Sequence, residues 1–453
     1  MCRWSGTEEE SDAEALARTM KGMRGRLAGW ADQRGAPVTA TVVMVLTVMV
    51  FGLVDHSGVH VGGTWLRAPG SDLWSLVASS WAFAHGEFAH IYVRDGALTS
   101  PPALELVLAP VLLLGQSLGV AYHAGGSSQP NSLWLLVGPA ALLLGSTALF
   151  AVDAVARYWR LADGQRLALA LVGALGVANV AALWGHPEDC VAFACVVWAA
   201  LALERRGPAA GPTAALLLGV GIAFQPLAIL GVAPVLTRLG WRAAARLWWR
   251  VLLPSLALLV APLWGEPGRT FFVLDHQPYL PAYVSLTPLS HLAPVLARGV
   301  DGGGPTRLIA TVLSAALAVT VCRKRHDLAT VLTMVAVAFF LRILLETELN
   351  WYYLWPVPAL CLLLAVRRST TRFWLCSSAL VVSVALGDRN AVHHIALWWP
   401  ALMATLVVML LSVGPSPRGW VAHLSRLRHG HVTTRPVECG AMVQPAGAGL
   451  RGE

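Results

Sequence analysis

The sequence predicts an all-α protein, a polytopic bundle of transmembrane helices. Charged residues make up only 13% of the chain and hydrophobic residues 56%, whereas a soluble domain carries about 25% charged residues. Apolar stretches of about 17–25 residues recur along the chain, each long enough to cross a bilayer core of about 30 Å. In lipid such stretches form helices, because unpaired backbone groups are costly there. We expect about 11 to 13 spans.

The distribution of charge predicts three segments. Residues 1–36 are polar and become basic just before the first apolar stretch, so they should lie in the cytoplasm. Residues 37–413 form the transmembrane domain, and residues 414–453 form a cytoplasmic tail that is expected to be partly disordered. The basic loops of this domain should also face the cytoplasm. This orientation leaves two long outer segments, at about 55–102 and 265–305.

Composition also argues against two kinds of site. The seven cysteines form no CxxC motif or paired framework, so we expect neither disulfides nor structural zinc. The net charge of +8 sits largely in short loops, where it sets the topology. We therefore expect no nucleic-acid partner.

The first outer segment should carry a short amphipathic helix on the membrane surface. Leu73, Val77 and Trp81 fall on one helical face. Asp72 at its start is a candidate general base for an acceptor hydroxyl, or an acidic first-turn residue favoured by the helix dipole. Asp55 directly follows the first apolar stretch and is the rival carboxylate, or only the polar residue that ends a span.

Arg342 is a cation inside an apolar stretch, close to its outer end. A charge at the bilayer centre costs roughly 2.5–3.5 kcal/mol, and such residues usually face a cavity. One interpretation is a clamp for a lipid phosphate. The other is an ion pair with Glu346, four residues further on.

Two further outer regions carry candidate ligands. The tight turn at 185–189 contains His186, Glu188 and Asp189, which suit a sugar, a cation or simply a solvated turn. The segment from Glu266 to His291 holds Arg269 with scattered aromatic and polar residues, which suit sugar faces or the aromatic belt of a membrane.

Two apolar regions need an interruption to satisfy the topology. The stretch 213–236 has Gln225-Pro226 at its centre and should form two short half-helices. Between the first outer segment and Arg157 only two apolar stretches are visible, at about 103–120 and 133–154, where an odd number of crossings is needed. We expect Pro110 or Pro139 to break one of them.

Four motifs spread over residues 37–410 form a pattern typical of one group of membrane enzymes. They are Asp72-Leu73-Trp74 with Gly86 and Tyr92, Ser100-Pro101-Pro102 with Pro110, Gly185-His186 with Gln225-Pro226, and Glu348 with Tyr352-Tyr353 and Pro356. In this layout the chain resembles the polytopic glycosyltransferases of the C superfamily. It is most similar to glycosyltransferase family 87, the polyprenol-phosphate-mannose-dependent mannosyltransferases.

The resemblance implies inverting transfer of a sugar, expected to be mannose, on the outer face of the plasma membrane. The donor would be a polyprenyl-phosphate sugar, the acceptor a lipid or polysaccharide, and membrane lipids the surrounding partners. Asp72, with Asp55 as the alternative, would be the base, and Arg342 and Arg269 would bind the donor phosphate. No cofactor is expected, with a divalent cation left open. The expected substrate-binding residues are His186, Glu188, His276, Tyr279, Glu348 and Tyr352.

Two other functions stay open. A transporter or lipid flippase is favoured by the half-helices around Gln225, although no internal repeat is visible and the ionisable groups lie near the outer interface. A catalytically inactive relative is the second alternative. It is suggested by His186, where the family often has Gln, and by Gln225, where a Lys is common.

Overall fold

The computed structural model describes residues 33–56, 71–94, 100–120, 133–275, 304–322, 327–346, 351–388 and 395–414, with single residues at 287, 289 and 349. Every regular element in these ranges is helical. The longer helices are α1 (Gly35–His56), α2 (Ser71–Ala84), α3 (Ala103–Ser117), α4 (Trp134–Tyr158), α5 (Asp163–Ala178), α6 (Pro187–Arg206), α7 (Gly211–Phe224), α8 (Ile229–Leu236), α9 (Trp241–Gly265), α10 (Pro267–Asp275), α11 (Gly304–Cys322), α12 (Leu328–Leu344), α13 (Pro356–Arg368), α14 (Thr370–Asp388) and α15 (Ile395–Val413).

Several helices have the length and apolarity of membrane spans. Among the described residues, four segments are long and apolar enough to cross a bilayer: Leu135–Tyr158, Asp163–Leu183, Pro187–Phe224 and Trp241–Gly265. Shorter apolar helices of 10–17 residues accompany them. The all-helical class predicted from the sequence is thus confirmed for this part of the chain, and the apolar helices agree with a membrane-embedded bundle.

One end of the bundle is rich in arginines that join its helices, and we call it the basic end. Arg166 of α5 donates through Nε to Asp153 of α4, at 2.7 Å, and through Nη2 to the backbone oxygen of Gln33, just before α1. Arg238, directly after α8, donates to Glu204 near the end of α6, at 2.5 Å. The positive-inside rule predicts that this end faces the cytoplasm.

Helices α7 and α8 form a hairpin of two half-helices, as the sequence predicts. Helix α7 ends at Phe224, and Gln225 follows with an extended backbone (φ −149°, ψ 116°), because a residue before proline avoids the helical region. The chain then returns along α8. Leu239, which follows α8, lies beside the start of α7, since a Cβ on Gly211 would be 3.2 Å from its methyl group. Gln225 is therefore the tip of the hairpin.

Helices α2 and α3 pack against each other as a pair. Val77 of α2 and Leu112 of α3 share a small core with Leu133 at the start of α4. Pro110 and Pro139 both lie inside continuous helices. The break expected at one of these prolines is therefore wrong.

A close contact joins α5 to the start of α13. It fixes the position of the chain directly after Tyr352 and Tyr353. Trp355 is 4% exposed and packs flat over Gly176 of α5, where any added Cβ would overlap the indole ring. Protein interiors are packed too densely for such an overlap to be absorbed without movement. The absence of a side chain at Gly176 thus fixes where α13 begins.

We expect Gly176→Ala to lower the free energy of unfolding by about 1–3 kcal/mol, the usual effect of overpacking. The loss would occur although alanine is otherwise the better helix former. Unfolding followed by circular dichroism in detergent micelles measures it. Gly164→Ala in the same helix is the control, because its Cβ would meet nothing within 4 Å. Equal stability of the two variants would contradict the tight Trp355 contact.

Candidate functional site

The start of α6 carries a linked group of polar and aromatic side chains. Gly185 adopts a positive φ of 78° and turns the chain from the π-helical turn at Asn179–Leu183 into α6. Nδ1 of His186 lies 2.6 Å from Oε1 of Glu188. The His186 ring stacks on Tyr352, with ring centroids 3.6 Å apart. The structure thus brings together three of the predicted substrate-binding residues.

The next residue, Asp189, joins α6 to the tip of the half-helix hairpin. Oδ1 of Asp189 accepts a hydrogen bond from Nε2 of Gln225, at 2.6 Å. Asp189 and its neighbour Glu188 are each only 5% exposed. Both stand in the first turn of α6, where the helix dipole favours negative charge. The hairpin tip therefore lies at the end of α6 opposite Glu204 and the basic end.

A buried ion-pair group lies beside the hairpin tip. Arg342 of α12 pairs with Glu346, as one of the two sequence interpretations predicts, and Glu346 is fully buried. Oε1 of Glu346 also lies 3.4 Å from Nε of Arg307 at the start of α11. The guanidinium of Arg342 stands 5.6 Å from the centroid of the Tyr353 ring, within cation–π range. The Glu346 carboxylate thus lies between the guanidinium groups of Arg342 and Arg307.

A pocket of about 150 Å³ opens at this group. Its polar lining comes from Gln225, Arg307, Thr311, Arg342 and Tyr353. The remainder of the lining is apolar and consists of Pro226, Leu227, Ile229 and Leu230 of the hairpin. We call it the cationic pocket. Arg342 is therefore both an ion-pair partner of Glu346 and a wall of a cavity, so its two predicted interpretations are compatible.

An apolar groove of about 350 Å³ adjoins the cationic pocket. The two cavities share Ile229, Leu230 and Thr311 in their walls. The groove continues along α8 as far as Thr237, about 12 Å from Ile229 at 1.5 Å per helical residue, and is bordered by α9 and α11. Its other lining residues are Val232, Ala233, Leu236, Ala244, Ala245, Trp248 and Ala315. A polar head and an apolar tail can therefore be held side by side.

Arg269 does not line the cationic pocket. It stands on α10, and its Nε donates to the backbone oxygen of Tyr92, at 3.3 Å. The Tyr92 hydroxyl donates in turn to the backbone oxygen of Ser100, at 2.7 Å. Burial, and after it the nearby Glu105 carboxylate, raises the pKa of Tyr92 above its ordinary value. This contact ties α10 to the segment that holds Tyr92, and the phosphate-binding role of Arg269 stays a prediction.

Several predicted site residues fall outside the described part of the chain. They are His276, Tyr279 and Glu348, and also the side chains of Asp55 and Asp72, whose backbones belong to α1 and α2. Their assignments stay predictions. In the ranges that the structure describes, no group of three His, Cys, Asp or Glu side chains is arranged to hold a metal ion.

Sequence reasoning misses three features. Arg307 stands near the start of the apolar helix α11, and a cation at the predicted outer end of an apolar stretch runs against the positive-inside rule and could have been noticed. The Asp189–Gln225 contact joins residues 36 positions apart, so no local sequence pattern predicts it. Glu105 is a third case, a carboxylate that is fully buried in the first turn of α3.

Comparison with known proteins adds no family to these observations. No family model matches the chain, and no curated protein matches it at a significant level. The similarity to glycosyltransferase family 87 thus stays a prediction from four motifs. Any function is proposed from the geometry of the cationic pocket and its surroundings.

We expect Glu346→Gln to destabilise the protein strongly, by about 3–5 kcal/mol, because removal of one partner leaves buried charge uncompensated. Denaturant unfolding in micelles measures the loss. Asp163→Asn is the control, since the Asp163 side chain is 96% exposed in its pair with Arg166 and exposed pairs contribute little. An equally mild effect of both substitutions would show that Glu346 does not anchor the two arginines.

Proposed function

We propose that the protein is an integral membrane glycosyltransferase that moves a sugar from a polyprenyl-phosphate donor to a lipid or glycan acceptor. The active site would face the outer side of the plasma membrane, and mannose is the expected sugar. The supporting observation is the cationic pocket with Arg307 and Arg342, which opens directly on an apolar groove. The four sequence motifs point to the same class.

The chemistry of the two cavities matches an amphiphilic phosphate. A polyprenyl phosphosugar has one negative charge at a phosphodiester and a long isoprenoid chain attached to it. Guanidinium groups bind phosphate oxygens through paired, charge-assisted hydrogen bonds. The groove along α8 offers the adjoining chain an apolar wall, where burial contributes about 25 cal/mol per Å². A water-soluble nucleotide sugar would leave this groove without an occupant.

Transfer would proceed by inversion at the anomeric carbon. The acceptor oxygen bonds to that carbon on the face opposite the phosphate, and the bond from the carbon to the phosphate oxygen breaks. Polyprenyl phosphate leaves with the added negative charge, which Arg307 and Arg342 stabilise. The proton of the acceptor hydroxyl passes to a carboxylate, for which Asp72 is the first choice and Asp55 the second. His186, Glu188 and Tyr352 would contact the sugar or the acceptor.

Donor binding tests the pocket. We expect Arg307→Gln to weaken retention of labelled polyprenyl-phosphate mannose in nanodiscs by about 10- to 100-fold, the usual effect of losing a charge-assisted hydrogen bond. Arg307 is chosen over Arg342 because Glu346 then keeps its closer partner. Arg269→Gln is the matched control, an arginine that does not line the pocket. Weaker donor retention with Arg269→Gln alone would move the phosphate site to α10.

Turnover tests the base. In nanodiscs supplied with polyprenyl-phosphate mannose and a membrane-extract acceptor, Asp72→Asn should lower transfer by about 10²–10⁴-fold, the usual contribution of a general base. Thermal stability should barely change, because loss of a charge from the first turn of a helix costs only about 0.3–1 kcal/mol. If only Asp55→Asn abolishes transfer, Asp55 is the base. Absence of transfer by the wild-type protein, with donor binding intact, would favour an inactive relative.

A transporter or flippase is the second candidate function. It is favoured by the half-helix hairpin, whose tip meets the buried Asp189, since transporters often build substrate sites from broken helices and ionisable groups. The nanodisc experiment decides between the two when repeated in sealed vesicles. Movement of labelled lipid between leaflets without formation of a new glycosidic bond would support transport and overturn the proposed transfer.

A further inference from the structure

The Asp189–Gln225 hydrogen bond has a chemical direction. In the structure the amide nitrogen of Gln225, Nε2, donates to Oδ1 of Asp189, at 2.6 Å. The amide oxygen, Oε1, is then turned away from Asp189.

The same glutamine is a wall of the cationic pocket. Once Nε2 is held by Asp189, the acceptor atom of the amide is the one left for an occupant. An acceptor oxygen repels the oxygens of a phosphate but binds a hydroxyl group. The pocket thus offers guanidinium donors to an anion and, next to them, an acceptor for a hydroxyl attached to that anion.

We infer that Asp189 is a positioning residue for sugar recognition: it orients Gln225 so that Oε1 accepts a hydrogen bond from a hydroxyl of the sugar attached to the bound phosphate. This inference rests on the proposed function and adds a specificity to it. The pocket selects polyprenyl phosphate that bears a sugar over polyprenyl phosphate without one. After transfer, polyprenyl phosphate without a sugar would therefore be displaced from the pocket by polyprenyl phosphate that bears one.

A purely mechanical role of this bond is a weaker explanation. The hairpin is already pinned at its other end by the contact of Arg238 with Glu204. Apolar contacts hold it in between, since the Gly221 backbone of α7 approaches Cys195 and Ala192 of α6 closely. Burying the Asp189 carboxylate, which is only 5% exposed, costs free energy that attachment of a helix by apolar contacts does not require. Its particular value is that it fixes which amide atom faces the pocket.

The experiment compares two lipids in nanodiscs. Binding of polyprenyl-phosphate mannose and of polyprenyl phosphate is measured for the wild-type protein, Asp189→Asn and Gln225→Met. We expect the wild-type protein to prefer the mannosylated lipid. Asn at position 189 can donate as well as accept, so the orientation of Gln225 is lost. The preference should fall by about 3- to 10-fold, the range of one hydrogen bond, while affinity for polyprenyl phosphate stays unchanged.

Gln225→Met removes the acceptor at nearly constant volume and should lower the preference for the mannosylated lipid by the same factor. The double variant, with Asp189→Asn and Gln225→Met together, should lose no more than either single variant, because both substitutions remove the same interaction. Glu204→Gln loosens the opposite end of the hairpin and is the control that should keep the preference. If Asp189→Asn fails to fold, Gln225→Met carries the comparison.

Each outcome of this comparison has a distinct meaning. Retention of the mannose preference in Asp189→Asn or Gln225→Met overturns the inference and leaves the proposed transferase intact. The same holds if the wild-type protein binds both lipids equally. A wild-type protein that binds neither lipid removes the proposed function, and this inference with it. Equal loss for both lipids in Asp189→Asn would reduce Asp189 to a structural residue.

Discussion

The site depends on one constraint, the packing of the α7–α8 hairpin against α6, where the Gly221 backbone approaches Ala192 and Cys195 closely. At the tip, Gln225 is bound by Asp189, and at the base, Arg238 is bound by Glu204. A break in a membrane helix frees backbone groups, which are tolerated only inside protein or beside a cavity. The hairpin meets this condition because α6, α9 and α11 surround it. Residues of the hairpin line both the cationic pocket and the groove along α8.

Electrostatics divide the bundle into two ends with different chemistry. At the basic end, arginines are matched by carboxylates on neighbouring helices, as in the contact of Arg166 with Asp153, and this matching joins the helices. At the other end the buried carboxylate of Glu346 faces both Arg342 and Arg307, where the cationic pocket opens.

Composition and local pattern predicted much of the fold but only part of the site. Helical class followed from apolar length, the break at Gln225 followed from its proline, and the Arg342–Glu346 pair followed from a spacing of four. Arg307 and the Asp189–Gln225 contact did not follow, because each joins helices distant in sequence. The helix break expected at Pro110 or Pro139 was wrong for a related reason. A proline removes one hydrogen bond but does not end a helix whose neighbours hold it.

The groove has an exposed wall on α9. Trp248 lines the groove and is partly exposed, as are Leu252 and Leu256, one and two turns further along the helix. A ligand would thus exchange sideways with the surrounding leaflet, and its supply would depend on two-dimensional diffusion and lipid composition, not on concentration in water. Detergents with a phosphate head and a single alkyl chain would fit both cavities, with the head in the cationic pocket and the chain in the apolar groove. Such detergents should behave as competitors during purification, and a protein prepared in them would show weakened lipid binding for that reason alone.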